Sequence, residues 1–93
     1  MTDKRPVYEV RFEKKARKAL NKLDASQARF IMAWIKKNLH QTSHPRAKGK
    51  GLTGDRSGAW RYRIGDYRLI ADIQDEKVVI LVLAVGHRKD MYS

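Results

Sequence analysis

Arg61, Arg63 and Arg68 stand on either side of the dipeptide Gly65-Asp66. A two-residue hairpin loop there pairs Ile64 with Tyr67 and Arg63 with Arg68, and alternation along the strand puts Arg61 on the same face as Arg63. Three guanidinium groups then share one face. Like charges directly opposite one another across a strand pair are destabilising, by an amount of the order of ~0.2–1 kcal/mol. Selection for folding alone would avoid the arrangement. One reading is a solvated face with Asp55, Asp66 or Asp72 as local counter-ions. The other is a site for a polyanionic phosphate, which arginine grips through two parallel N–H donors. The second is favoured, because the local acids are too few to neutralise the local bases.

The segment Gly86-His87-Arg88-Lys89-Asp90-Met91-Tyr92-Ser93 follows an apolar run and should be delivered to one end of the sheet. Tyr92 could stack on an exposed base or pin the chain end against the domain. His87 is a candidate for proton transfer, since an unperturbed imidazole near pH 6.5 serves in either direction. His40, His44 and His87 lack a metal-ligand spacing with neighbouring carboxylates, so no metal or other cofactor is expected. Trp34 and Trp60 are read as core residues, from their places on the apolar side of a helix and in an alternating strand.

The chain has 93 residues, enough for one small domain over residues 1–93, and carries 21 Lys plus Arg against 10 Asp plus Glu, a net charge of +11. That field attracts phosphates or other acidic partners. With 42% hydrophobic residues in periodic blocks it is not a disordered basic tail. There is no cysteine, which removes disulfides and thiolate chemistry. No apolar run is long enough to span a bilayer and Met1 to Val7 does not read as a signal peptide, so a cytoplasmic protein is expected.

The elements that must position these residues can be read in order. Val7 to Phe12, after Pro6, has the β-branched and aromatic content of a short strand. From Glu13 the period becomes helical: Ala16, Leu20 and Leu23 continue from Phe12 along one side, while Lys14, Lys15, Arg17, Lys18 and Lys22 fall largely on the other. Asp24 and Gln27 have capping-box spacing, and a second helix over Ala25 to Leu39 follows with Ala28, Ile31, Met32, Ile35 and Leu39 as its stripe, widened by Phe30 and Trp34. The short connection makes the two helices an antiparallel hairpin able to cover one sheet face. His40 to Gly58 reads as a mobile basic loop bearing Arg46, Lys48, Lys50 and Arg56. Three strands then form an antiparallel meander: Ala59 to Ile64, Tyr67 to Ile73 and Lys77 to Val85. The last is apolar on both faces and should lie centrally. The fold class is α+β: a strand, a helical hairpin, then the meander, with the helices packed on one sheet face.

This order, together with Leu52-Thr53-Gly54, the run Trp60 to Ile70 and the run Val85 to Tyr92, resembles the RelE toxins of the RelE/ParE superfamily, and the likeness covers nearly the whole chain. The resemblance implies a toxin of a type II toxin–antitoxin pair that enters the ribosomal A site and cleaves mRNA there without a metal. The messenger's own 2′-hydroxyl would attack the adjacent phosphate, leaving a cyclic phosphate and a new 5′-hydroxyl. By the same resemblance Arg61, Arg63, Arg68 and Arg88 would hold the scissile phosphate, and Tyr92 would stack on a base. Family members often carry lysine where this chain has Arg61 or Arg63. A guanidinium is a poor proton acceptor, which leaves His87 or Tyr92 as the candidate base. Lys14, Lys15, Arg17, Lys18, Lys22, Lys48, Lys50 and Arg56 would meet RNA, including 16S rRNA. The expected partners are mRNA on the ribosome and a RelB-like antitoxin, with no membrane. Some relatives carry a further helix after the terminal tyrosine, so inhibition here is expected to use other surfaces. The alternatives are a ParE-like inhibitor of DNA gyrase, which does not require the arginine and tyrosine constellation, and an RNA-binding module without chemistry.

Overall fold

The structure, a computed structural model, describes residues 5–52 and 58–87. Within them the chain runs β1 (Glu9–Phe12), α1 (Lys14–Asn21), α2 (Ala25–Asn38), β2 (Lys50–Gly51), β3 (Trp60–Ile64), β4 (Tyr67–Gln74) and β5 (Val79–His87). The strands form one five-stranded sheet in the order β1-β5-β4-β3-β2. The meander β3-β4-β5 is antiparallel as expected, and β1 joins it parallel to β5, with Val10 opposite Ile80 and Phe12 opposite Val82. A parallel neighbour demands a crossover, and the helical hairpin with the chain that follows it supplies one.

Both helices cover one face of the sheet. Ala16, Leu20, Ile31, Ile35 and Leu39 from the helices pack with Tyr62, Ile64, Leu69, Ala71, Ile80, Val82 and Val85 from the sheet. Leu23 and Trp34 are partly buried against this core, and the Trp34 ring lies 5.9 Å from that of Tyr62. Phe30, read as part of the α2 stripe, is 55% exposed. It lies past the edge of the apolar arc, beside the β3–β4 turn, where a Cβ on Gly65 would come 3.4 Å from its ring. The Asp24–Gln27 capping box does not form: Asp24 is the N-cap residue of α2 but makes no side-chain cap bond, and its carbonyl accepts from Ala28 N.

Two further corrections concern the strands, and a further observation concerns the basic segment. The first begins at Glu9, because Tyr8 N instead donates to the Thr42 carbonyl. The last begins at Val79, because Lys77 N and Val78 N close the preceding turn onto Gln74 O and Asp75 O and Val78 takes φ +55°. It then continues to His87 opposite Tyr67. Finally, the described part of the basic segment, read as a mobile loop, makes several side-chain contacts to the rest of the fold. Arg46 forms a two-pronged ion pair with Asp75 at 2.9 and 3.0 Å, Tyr8 donates to the same carboxylate at 2.6 Å, and Tyr62 donates its hydroxyl to the Pro45 carbonyl. Residues 53–57 of that segment lie outside the described residues.

Candidate functional site

The Gly65-Asp66 turn produces the expected register. Gly65 takes φ +60° as the first residue of a two-residue loop, a conformation glycine adopts without steric cost. Ile64 stands opposite Tyr67, Arg63 opposite Arg68 and Arg61 opposite Ile70. Ile64 and Tyr62 point into the helix-covered core, so Arg61 and Arg63, alternating with them, occupy the other face with Arg68. Strands lie about 4.8 Å apart and rise about 3.3 Å per residue, which brings the three Cα positions within a patch of roughly 5 by 7 Å.

The three arginines differ in environment. Arg63 is exposed and Arg61 is intermediate. Arg68 is only 7% exposed. It sits on the middle strand of five, between Arg63 on β3 and Gly86 on β5, with Ile70, 5% exposed, beside it on the same face. Among the described residues its guanidinium donates to the carbonyl of Tyr67 at 3.3 Å, and neither ion pair formed there, Arg11 with Glu9 or Arg46 with Asp75, involves it. A shielded guanidinium facing a second one is an anion site in waiting, because burial weakens the competition from water. The acid on this face of β4 is Asp72, one strand position beyond Ile70 on that side, and it accepts from the Gln74 amide at 3.0 Å.

His87 does not join the arginines. The β4–β5 ladder carries an irregularity at Ile70/Ala71: Ile70 pairs with Ala84 and Ala71 with Val82, which leaves Leu83 as an extra residue on β5. That bulge shifts the alternation of β5 by one, so Gly86 rather than His87 faces Arg68. His87 pairs with Tyr67 on the helix side, its ring set edge-on 5.5 Å from the Tyr67 ring. His87 thus stands at the end of the sheet where the sequence put it, with its ring on the face opposite Arg68.

Of the residues read as RNA contacts, Lys14, Lys15, Lys18 and Lys22 line a shallow depression along α1, and Arg17 lies over the Phe12 ring at 5.8 Å. They belong to the helical layer, across the sheet from the arginines. Lys48 and Lys50 are exposed, and Lys50 stands directly opposite Arg61 on β2, a placement the sequence did not reveal. Arg56, Arg88 and Tyr92 lie outside the described residues. Trp60, read simply as core, is partly buried and spends its indole N–H on the Lys48 carbonyl at 2.7 Å. Among the described residues no group of histidines and carboxylates could hold a metal ion, and no helix is long and apolar enough to cross a membrane.

Comparison with known proteins gives a consistent picture. Residues 10–92 match the family described as ParE toxin of type II toxin-antitoxin system, parDE. Toxin RelG of Mycobacterium tuberculosis is 34% identical over 85 residues, covering 91% of this chain and 95% of that protein. Among solved structures, the toxin-antitoxin complex RelBE2 from Mycobacterium tuberculosis contains a chain that superposes with a TM-score of 0.81 at 33% identity, covering 94% of this chain and 98% of that one. A double arginine-to-alanine variant of the Escherichia coli toxin RelE in the free state superposes with a TM-score of 0.72 at 25% identity, covering 92% and 88%.

Proposed function

The chain belongs to the RelE/ParE superfamily as a RelE-family toxin of type II toxin–antitoxin systems, and we propose that it is a ribosome-dependent endoribonuclease that cleaves mRNA in the A site. The observation that carries this reading is the Arg63–Arg68 pair, with Arg68 shielded from water and no carboxylate of the described residues in ion-pair contact with it. Such a pair costs stability unless a polyanion completes it.

In the proposed reaction the 2′-oxygen of the messenger attacks the adjacent phosphorus. The bond from phosphorus to the 5′-oxygen breaks, leaving a cyclic phosphate and a 5′-hydroxyl. The 2′-hydroxyl loses its proton and the departing 5′-oxygen gains one. Negative charge on the non-bridging oxygens rises at the pentacoordinate stage, and Arg61, Arg63 and Arg68 would present donors to it. Arg88 would add a further guanidinium and Tyr92 a stacking surface. The +11 chain charge and the lysines of α1 suit contact with ribosomal RNA. A RelB-like antitoxin is the expected restraint, an acidic or amphipathic segment covering the basic faces.

The match to a ParE toxin family favours a second reading, inhibition of DNA gyrase by binding. Primer extension on mRNA in a reconstituted translation reaction separates the two. Cuts within A-site codons that require ribosomes support the nuclease. Intact mRNA together with loss of gyrase supercoiling activity supports the second reading.

A further inference from the structure

We infer that Lys50 is a cation of the phosphate-binding face beside Arg61, Arg63 and Arg68, and that Trp60 is the positioning residue that holds it there. The inference rests on the reading of the arginine face as a nucleic-acid phosphate site. It starts from a local oddity: the two-residue strand Lys50–Gly51 has no hydrophobic periodicity of its own, yet it pairs with β3, Lys50 opposite Arg61 and Gly51 opposite Trp60.

Trp60 explains why. Its indole N–H donates to the Lys48 carbonyl at 2.7 Å. Gly49 takes φ +86°, and a Cβ there would come 2.3 Å from the Arg61 carbonyl and 2.7 Å from the indole nitrogen. Only a residue without a side chain lets the segment lie this close to β3. A Cβ on Gly51 would come 3.4 Å from the six-membered ring of the same indole, and Leu52 N donates to the Ala59 carbonyl at 2.9 Å. The segment is thus held on both sides of Lys50.

The consequence is a second like-charged cross-strand pair. Partners directly opposite bring their Cβ atoms about 4.5–5.5 Å apart, so Lys50 and Arg61 repeat across β2–β3 what Arg63 and Arg68 do across β3–β4. Arg61 faces Lys50 from β3, and Asp72, held by Gln74, is the acid on the same side of β4. Neither ion pair formed among the described residues involves Lys50. Its exposed ammonium at the sheet edge is placed to meet a phosphate of a strand whose neighbouring phosphate the arginines hold.

Binding of a fluorescein-labelled single-stranded RNA oligonucleotide, titrated over a range of salt, tests this, with mRNA cleavage on translating ribosomes measured alongside. Lys50→Ala should weaken binding roughly 10- to 100-fold at low salt and reduce the slope of log affinity against log salt by about 0.7. Lys50→Arg should restore most of both. Trp60→Phe, which keeps the ring and loses the donor, should weaken binding roughly 2- to 10-fold, and should add nothing in the Lys50→Ala background. An unchanged slope in Lys50→Ala, or a Trp60→Phe effect of equal size in both backgrounds, overturns the inference. If RNA binds with a Lys50-dependent slope while mRNA on ribosomes stays intact, the nuclease reading falls and the phosphate face stands. If mRNA is cleaved and Lys50→Ala changes neither binding nor cleavage, the inference falls alone. Absence of both RNA binding and cleavage removes both.

Discussion

Replacing Arg68 by methionine should make the protein more stable and less active. Methionine retains an unbranched apolar stem and removes the charge. Arg68 is 7% exposed, faces Arg63 across the ladder, and has a single carbonyl contact of 3.3 Å among the described residues. Relief of the like-charge pair is of the order of 0.2–1 kcal/mol. Replacing buried ionic groups by apolar ones of similar size often gains about 1–4 kcal/mol. Allowing for the lost carbonyl contact, the net gain is about 1–2 kcal/mol. For a domain of this size each kcal/mol moves Tm by roughly 4–8 °C, so calorimetry should show a rise of about 4–16 °C. Activity should fall by about 100- to 1000-fold, the loss typical of removing one preorganised donor to a developing anion. A Tm lowered by several degrees would refute the reasoning, because it would mean that Arg68 is held by interactions that stabilise the free protein.

Tyr62 is fully buried, and loss of water around its phenolate pushes its pKa up to about 12. Its stabilisation is complete below the ordinary tyrosine value near 10 and is lost as pH rises from there through about 12, a change on the order of 3 kcal/mol. Tyr62→Phe should abolish that alkaline dependence in urea titrations while costing about 1–2 kcal/mol at neutral pH through the orphaned Pro45 carbonyl; an unchanged alkaline limb would contradict this. The Arg46 and Tyr8 donors hold the Asp75 carboxyl below its usual value, so its contribution is present above about pH 4 and lost as pH falls further. Asp75→Asn should therefore flatten the fall of Tm between pH 5 and 2, measured by scanning calorimetry, and an equally steep fall in the variant would count against the cluster. Gly65→Ala places a Cβ-bearing residue at φ +60° and should cost about 1–2 kcal/mol in the hairpin that carries Arg63 and Arg68, read by chemical denaturation. A change below about 0.5 kcal/mol would show that the turn relaxes freely.

The hairpin and its facing arginines were legible because Gly65-Asp66 is a strong local signal and period-two alternation does the rest. The helices were equally plain, since Ala16, Leu20, Ile31, Ile35 and Leu39 recur at helical spacing and all are buried. What could not be read was set by non-local contacts. Lys50 and Gly51 form a strand because Trp60 grips the Lys48 carbonyl, and a two-residue element carries no periodicity to announce it. β5 is apolar on both faces, so its alternation is silent, and the bulge at Leu83 that turns His87 toward the helices leaves no trace in composition. The burial of Arg68 follows from its place on β4 between β3 and β5, with Ile70 beside it on the same face, and a charged residue type does not announce it.

The most direct test of the account is primer extension on a translated mRNA in a reconstituted system, comparing the unaltered protein with Arg63→Ala and Arg68→Met, with and without ribosomes. The account predicts cuts within A-site codons that require ribosomes and fall by about 100-fold or more in each variant, both of which still melt cooperatively. Ribosome-dependent cleavage that survives in both variants would contradict it, since the paired arginines would then not be where the phosphate is held.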